Sequence, residues 1–257
     1  MRAIWTGAIG FGLVNIPIKL YSAVQASELD LDMLDKKDHA NIRFKRVNEN
    51  SGKEVPWNNI VRAYNYNDRY VVIDEKDFEK ASPEKNKIIA ISEFVNEHDV
   101  NSMYYETPYY AEPEKSGTKA YALLRDALKK TGKAGFGSFV LRSKESLCLI
   151  KPEENILVIN RIRFAEEIRS PKELNIPESS NKPAEMKMAM ELIEQLSGAF
   201  DISKYKDTYS DKLMKIIEAK AKGKPIKVAP LKIAYSRTED LMSQLKASLN
   251  AKHKKAS

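Results

Sequence analysis

Residues 136–162 read FGSFVLRSKESLCLIKPEENILVINRI. Three apolar segments stand in this stretch, Phe136–Arg142, Leu147–Ile150 and Ile156–Ile162, and polar residues that suit turns part them. The same texture runs upstream. Ile16, Ile18 and Leu20 alternate with Pro17, Lys19 and Tyr21, and Ile42 and Phe44 alternate with Arg43 and Lys45. A period of two describes a strand with one buried face. Tyr70-Val71-Val72-Ile73 and Ile88-Ile89-Ala90-Ile91 are short runs that read as buried strands. Asn48–Gly52 and Asn65–Asp68 carry turn residues suited to hairpin ends. Many short strands joined by polar turns predict an antiparallel barrel or a sandwich.

One helix interrupts the strands. Ala120, Leu123, Leu124, Ala127 and Leu128 recur at helical spacing between Ser116-Gly117 and Gly132, which is a fitting C-terminal stop. Lys129, Lys130 and Lys133 gather at its end, where cations compensate the helix dipole or meet phosphate. Texture changes near Ser170-Pro171. Pro183 opens a helix with Met186, Met190, Ile193 and Leu196 on one side, ended by Gly198. A second helix carries Leu213, Ile216 and Ile217 and ends before Gly223. A basic linker follows, then a short amphipathic helix with Thr238 as N-cap and a stripe of Leu241, Leu245 and Leu249.

Charge is uneven. From Lys212 to Ser257 there are 12 Lys and Arg against 3 Asp and Glu, whereas residues 1–211 hold 31 against 33. Such a tail suits a polyanion, although it equally solubilises a chain. With 42% hydrophobic residues the chain can form a core. A single cysteine, Cys148, allows no disulfide framework and fits a reducing cytoplasm. The N-terminal apolar stretch is broken by Gly7, Gly10, Gly12, Asn15 and Pro17, so it reads as strand rather than signal peptide. No run reaches the length of a membrane span. A cytoplasmic protein with no membrane partner is the expectation.

Catalytic chemistry is hard to place. Gly7–Gly12 and Thr131–Gly137 match neither the dinucleotide-binding fingerprint nor a P-loop. His39, His98 and His253 lie far apart, and Asp30/Asp32 and Glu166/Glu167 have no arrangement that sets a two-metal centre. We expect no enzymatic activity, no cofactor and no metal. A nuclease with an unrecognised metal site and a peptide-binding barrel are the rival classes.

Beyond a β-rich domain with a helical extension, the residues resemble a known family. AIWTGAIGFGLVNIPIKLYSAV (3–24), NIRFKRVNENSGKEV (41–55), RYVVIDEKDFEKASPEKNKIIAISEFV (69–95), the stretch 102–150, NRIRFAEEIRSP (160–171), the stretch 191–224 and TEDLMSQLKASLNAKHKKA (238–256) resemble the bacterial Ku family, in its order and spacing. Two segments depart from it: LDMLDKKDHANIRFKRV (31–47), where relatives carry a more regular histidine-containing strand, and Trp57–Ile60, which lacks a Lys-Gly pattern.

The resemblance implies an α+β fold: a mainly antiparallel β-barrel core over residues 1–178, with a bridge over DNA inserted at about 103–150. A C-terminal helical arm (179–222), a basic linker (223–237) and a short helix with a basic tail (238–257) follow. It implies a homodimeric ring that binds double-stranded DNA ends without reading sequence and recruits the multifunctional ATP-dependent ligase of end joining. The DNA-lining residues implied are Arg43, Lys45, Arg62, Lys129, Lys130, Lys133, Arg142, Lys144, Arg161 and Arg163, with Lys252, Lys254 and Lys255 in the tail. Phe200, Tyr205, Tyr209, Leu213, Ile216 and Ile217 would form the dimer interface. Leu241, Leu245 and Leu249 would meet the ligase as a helix in a groove.

Overall fold

The computed structural model describes residues 1–25, 27, 29–81, 87–142, 144–176, 182–224 and 241–253, without the side chains of 241 and 250–253. The chain divides into two compact units: Met1–Ala26 with Asp30–Ser170, and Ser27–Leu29 with Pro171–Ser257.

The first unit is built on seven strands: β1 (Trp5–Phe11), β2 (Val14–Ser22), β5 (Ile88–Asn96), β6 (Tyr105–Pro113), β7 (Lys133–Leu141), β8 (Lys144–Glu153) and β9 (Ile156–Ile162). They close into a barrel in the order β1-β2-β6-β9-β8-β7-β5. Six of its ladders are antiparallel, and the seventh, β1 beside β5, is parallel, with Ala8, Ile9 and Gly10 opposite Ile88, Ile89 and Ala90. The barrel is therefore mixed. Antiparallel neighbours can be joined by tight turns, but a parallel pair requires a long connection, and here that connection holds β2 and the stretch that follows it.

Alternation sorts the side chains. Ile9, Ile16, Ile18, Leu20, Ile89, Cys148, Ile150, Leu157 and Ile159 fill the main core. On the other face of the same sheet Ala134, Leu149 and Ile162 pack with Val95, Phe136 and Leu147. The run Leu147–Ile150 is apolar without alternation because it is covered on both faces. Gly137 lies where backbones crowd: a Cβ there would stand 2.0 Å from the Ala90 carbonyl oxygen, next to a register shift between Ile91 and Glu93.

Helix α2 (Thr118–Thr131) covers this core with Tyr121, Leu124 and Leu128. The predicted stripe is corrected here: Leu123 and Ala127 face outward, and Tyr121 takes the buried place. Its hydroxyl donates to the Ala111 carbonyl and accepts from the Leu157 amide, each at 2.6 Å, tying α2 to β6 and β9. Gly132 ends the helix at φ 65°, ψ 20°, as its position predicts. Residues 103–150, expected to leave the barrel as a bridge, instead build it, since they supply β6, α2, β7 and most of β8.

The excursion lies elsewhere, between β2 and β5. Residues 30–81 are all exposed except the half-buried Val55 and Ile73. They hold the hairpin β3 (Arg62–Tyr66) and β4 (Arg69–Ile73), the short helix α1 (Glu75–Ala81) and two isolated bridges, Leu34 to Asn41 and Val47 to Glu54. Asn67 and Asp68 both adopt left-handed φ, 49° and 61°, the geometry of a two-residue hairpin turn. Two expectations fail here. Ile42 and Phe44 belong to no strand and are exposed, and Tyr70–Val72 form a strand that is not buried. Periodicity registers an apolar face whether or not the same chain covers it.

The second unit holds α3 (Pro183–Leu196), α4 (Thr208–Ala221) and α5 (Leu241–His253). Asp207 caps α4, accepting from the amides of Tyr209 and Ser210. α3 and α5 pack together. The half-buried residues of α3 include Met188, Ala189 and Leu192, whereas Met186, Met190, Ile193 and Leu196, read as its apolar side, are exposed.

Candidate nucleic-acid interface

The expected DNA-lining cations fall into groups. Lys129 and Lys130 stand exposed in the last turn of α2, and Lys133 opens β7 just past the Gly132 stop. The left-handed residue reverses the chain there, so three ammonium groups share one end of the helix. One carboxylate faces them. The Asp126 carboxyl is held below its ordinary range mainly by a hydrogen bond from Arg125, at 2.8 Å, with smaller attractions to Lys129 and Lys130.

Arg142 and Lys144 flank the β7–β8 turn, where Arg142 has φ 54°. Nine strand positions separate Lys133 from Arg142, up to about 30 Å at the usual rise per residue. These are two patches, not one.

Arg43, Lys45 and Arg62 lie in the excursion. The Lys45 ammonium pairs with Glu54 at 2.7 Å, and both side chains are exposed, so the pair contributes little. The Arg62 guanidinium sits 5.1 Å from the Phe78 ring centre. Arg46, absent from the expected set, stacks over Trp57 at 4.5 Å. Between Lys36 and Arg69 the chain carries eight basic residues against four acidic ones. The alternation of Ile42 and Phe44 reads as a core face, while the signal for Arg46, which the expected set omits, is this local excess of basic residues.

Two of the expected cations are occupied within the barrel. Arg163 donates to the carbonyls of Met103, at 3.1 Å, and Tyr105, at 2.6 Å. Arg161 pairs with Glu106 across the β6–β9 ladder. Both serve the fold as placed. Lys254 and Lys255 lie outside the described residues, as does the side chain of Lys252.

Of the residues expected at the dimer interface, Phe200, Tyr205 and Tyr209 are the most open, Ile217 is exposed, and Leu213 and Ile216 are half-buried. Leu245 and Leu249 are half-buried on α5, which packs on α3; the side chain of Leu241 lies outside the described residues, as do Thr238 and the linker from 225 to 237. On the barrel, Phe11, Val14, Phe94, Leu123 and Ala127 line an apolar trough of about 560 Å³ edged by Lys133.

Among the described residues no group of His, Cys, Asp and Glu could hold a metal, and no helix is long and apolar enough to cross a membrane. Burial pushes the Cys148 thiol up to about 12, which removes the thiolate a nucleophile needs.

Comparison with known proteins adds a family. The family model for the Ku70/Ku80 beta-barrel domain matches residues 10–190. A protein from Coxiella burnetii (strain RSA 331 / Henzerling II), named "Non-homologous end joining protein Ku", is 40% identical over 98% of this chain and 96% of its own. Proteins of the same name from Opitutus terrae and Bacillus subtilis are 38% and 37% identical, each over 97% of this chain and over 92% and 82% of their own. The matched region takes in the excursion and the barrel from the end of β1 onward, and with this coverage the chain belongs to the Ku family.

Proposed function

We propose that the protein binds broken double-stranded DNA ends in non-homologous end joining, as a homodimeric clamp that does not read sequence and that brings the ATP-dependent ligase to the break. Above all this rests on the near full-length likeness to relatives named for that pathway. The residues supply a means. The excursion between β2 and β5, not residues 103–150, is the segment able to reach over a duplex: it leaves a closed barrel, its side chains are almost all exposed, and its middle is basic. Lys129, Lys130 and Lys133 form one phosphate-contacting patch, and Arg142 with Lys144 form a second. Phosphate contacts of this kind position a protein without reporting sequence.

Pairing of two copies is supported by the open apolar residues of 186–217. Met190, Ile193, Leu196, Phe200, Tyr205 and Tyr209 are each more than 60% exposed, apolar side chains that a second copy would cover. The ligase would engage α5 and the basic tail. Removing residues 238–257 is then expected to lower ligation stimulation and to leave end binding intact; full stimulation by the shortened protein would exclude that role.

The decisive experiment compares linear plasmid, covalently sealed plasmid and linear DNA with streptavidin-blocked ends. A clamp that threads lengthwise loads on the first alone. Equal capture of sealed and linear plasmid would refute threading.

A further inference from the structure

The β3–β4 hairpin presents a face whose residues do not suit a protein core. In an antiparallel pair, directly opposed residues share a face. Arg62 opposes Ile73, Tyr64 opposes Val71, and Tyr66 opposes Arg69. One side of this two-stranded sheet therefore carries two tyrosines and two arginines with two aliphatic residues, and no carboxylate. Tyr64 is 67% exposed and Tyr66 63%. Neither arginine pairs with a described carboxylate, and Phe78 steadies the Arg62 guanidinium. A lone two-stranded sheet is marginal in water, so this one needs an occupant.

We propose that this face stacks the unpaired bases of a single-stranded DNA overhang. Tyr and Arg also serve protein contacts; what favours a nucleic acid here is that both arginines share the face with the two rings and no carboxylate does. Rings that stack bases beside cations that meet phosphate are the two parts of a single-strand site. Duplex bases present only their edges in the grooves, so a stacking face takes unpaired bases. Spacing agrees. Tyr64 and Tyr66 stand about 6.8 Å apart along one strand, twice the roughly 3.4 Å step of a stacked strand. Successive bases reach successive rings only when the strand is drawn out of its helix. The proposal rests on the DNA-end reading and extends it: the barrel and α2 patches hold duplex phosphates, and the hairpin holds the frayed or resected extension.

The test uses the full chain, a fluorescent blunt duplex and the same duplex with a 3′ thymidine overhang, in one buffer. The wild type is expected to favour the overhang by about fivefold or more, the low end for one stacked base. Y64A/Y66A should lose that preference and keep its blunt-end affinity, while Y64F/Y66F keeps both. On the unsubstituted protein, an overhang carrying 5-iodouracil should photocrosslink to Tyr64 or Tyr66. Equal affinity of the wild type for both duplexes, an undiminished preference in Y64A/Y66A, or adducts confined to other segments would each overturn the assignment. So would dissociation of Y64A/Y66A into monomers in sedimentation, which would make the face a contact between copies. A wild type that holds no duplex end at all refutes the DNA-end reading itself, an outcome distinct from the loss of overhang preference alone.

Discussion

Neutralising the α2 patch, K129Q/K130Q/K133Q, separates phosphate binding from a purely structural role. Gln and Lys have nearly equal helix propensity, so charge is what changes. As dipole compensation, each lysine in the last turn is worth about 0.3–1 kcal/mol, and the variant melts a few degrees lower with unaltered DNA affinity. As phosphate contacts, three charges remove about 2.7 from the slope of log affinity against log salt, at roughly 0.9 each on B-form duplex. Referred to 1 M salt, that slope corresponds to roughly a hundredfold weaker binding at 0.15 M, alike for every duplex sequence. Two copies gripping one duplex would double the slope change to about 5.4, so the same titration counts protomers on the DNA. Fluorescence anisotropy of a blunt duplex across a salt series, with calorimetric melting of the free protein, gives both numbers. A slope and an affinity equal to those of the wild type, beside a lowered melting temperature, would refute the assignment and leave the dipole explanation in place.

Tyr121→Phe should cost about 2–4 kcal/mol in denaturant unfolding, because it leaves the buried Ala111 carbonyl and Leu157 amide without their partner; a loss below about 0.5 kcal/mol would show that the ladder closes without the hydroxyl. Met190→Glu with Ile193→Glu should shift the sedimenting species toward monomer by placing charge in the open stripe of α3, and an unchanged dimer would locate the pairing surface elsewhere. Cys148 should resist maleimide at pH 8 until the barrel unfolds. Its folded thiol is held at about 12 against an ordinary 9.0, so the folded state retains a proton that the unfolded chain releases between those values. That contribution to stability is complete below pH 9 and is lost as pH rises toward 12; prompt labelling of the folded protein would contradict the burial.

The barrel was legible because its strands are covered by the chain's own residues. Ile16, Ile18 and Leu20 alternate and are buried, Ile89 is buried as read, and the three segments of 136–162 became β7, β8 and β9. What the sequence concealed is which apolar faces the chain covers by itself. Ile42, Phe44, Tyr70 and Met190 carry the same periodic signal as core residues, yet lie open. Nothing in a two- or 3.6-residue period distinguishes a face packed internally from one kept for another molecule. Residues 103–150 read as an insertion for a related reason. The parallel seam of β1 with β5 joins residues about eighty positions apart, and no local pattern announces such a pairing. Arg161 and Arg163 stand among the expected DNA-lining residues because a basic residue near a strand looks the same whether it meets phosphate, Glu106 or a neighbouring carbonyl.

That seam bears on how freely the insertion can change its size. The described residues between β2 and β5 belong to one long connection, hung between β2 and the strand that closes the barrel against β1. Closing a flexible loop becomes only about 0.6 kcal/mol harder when its length doubles. Lengthening or trimming the segment should thus hardly tax the scaffold, so its size can change while the cylinder stays as it is.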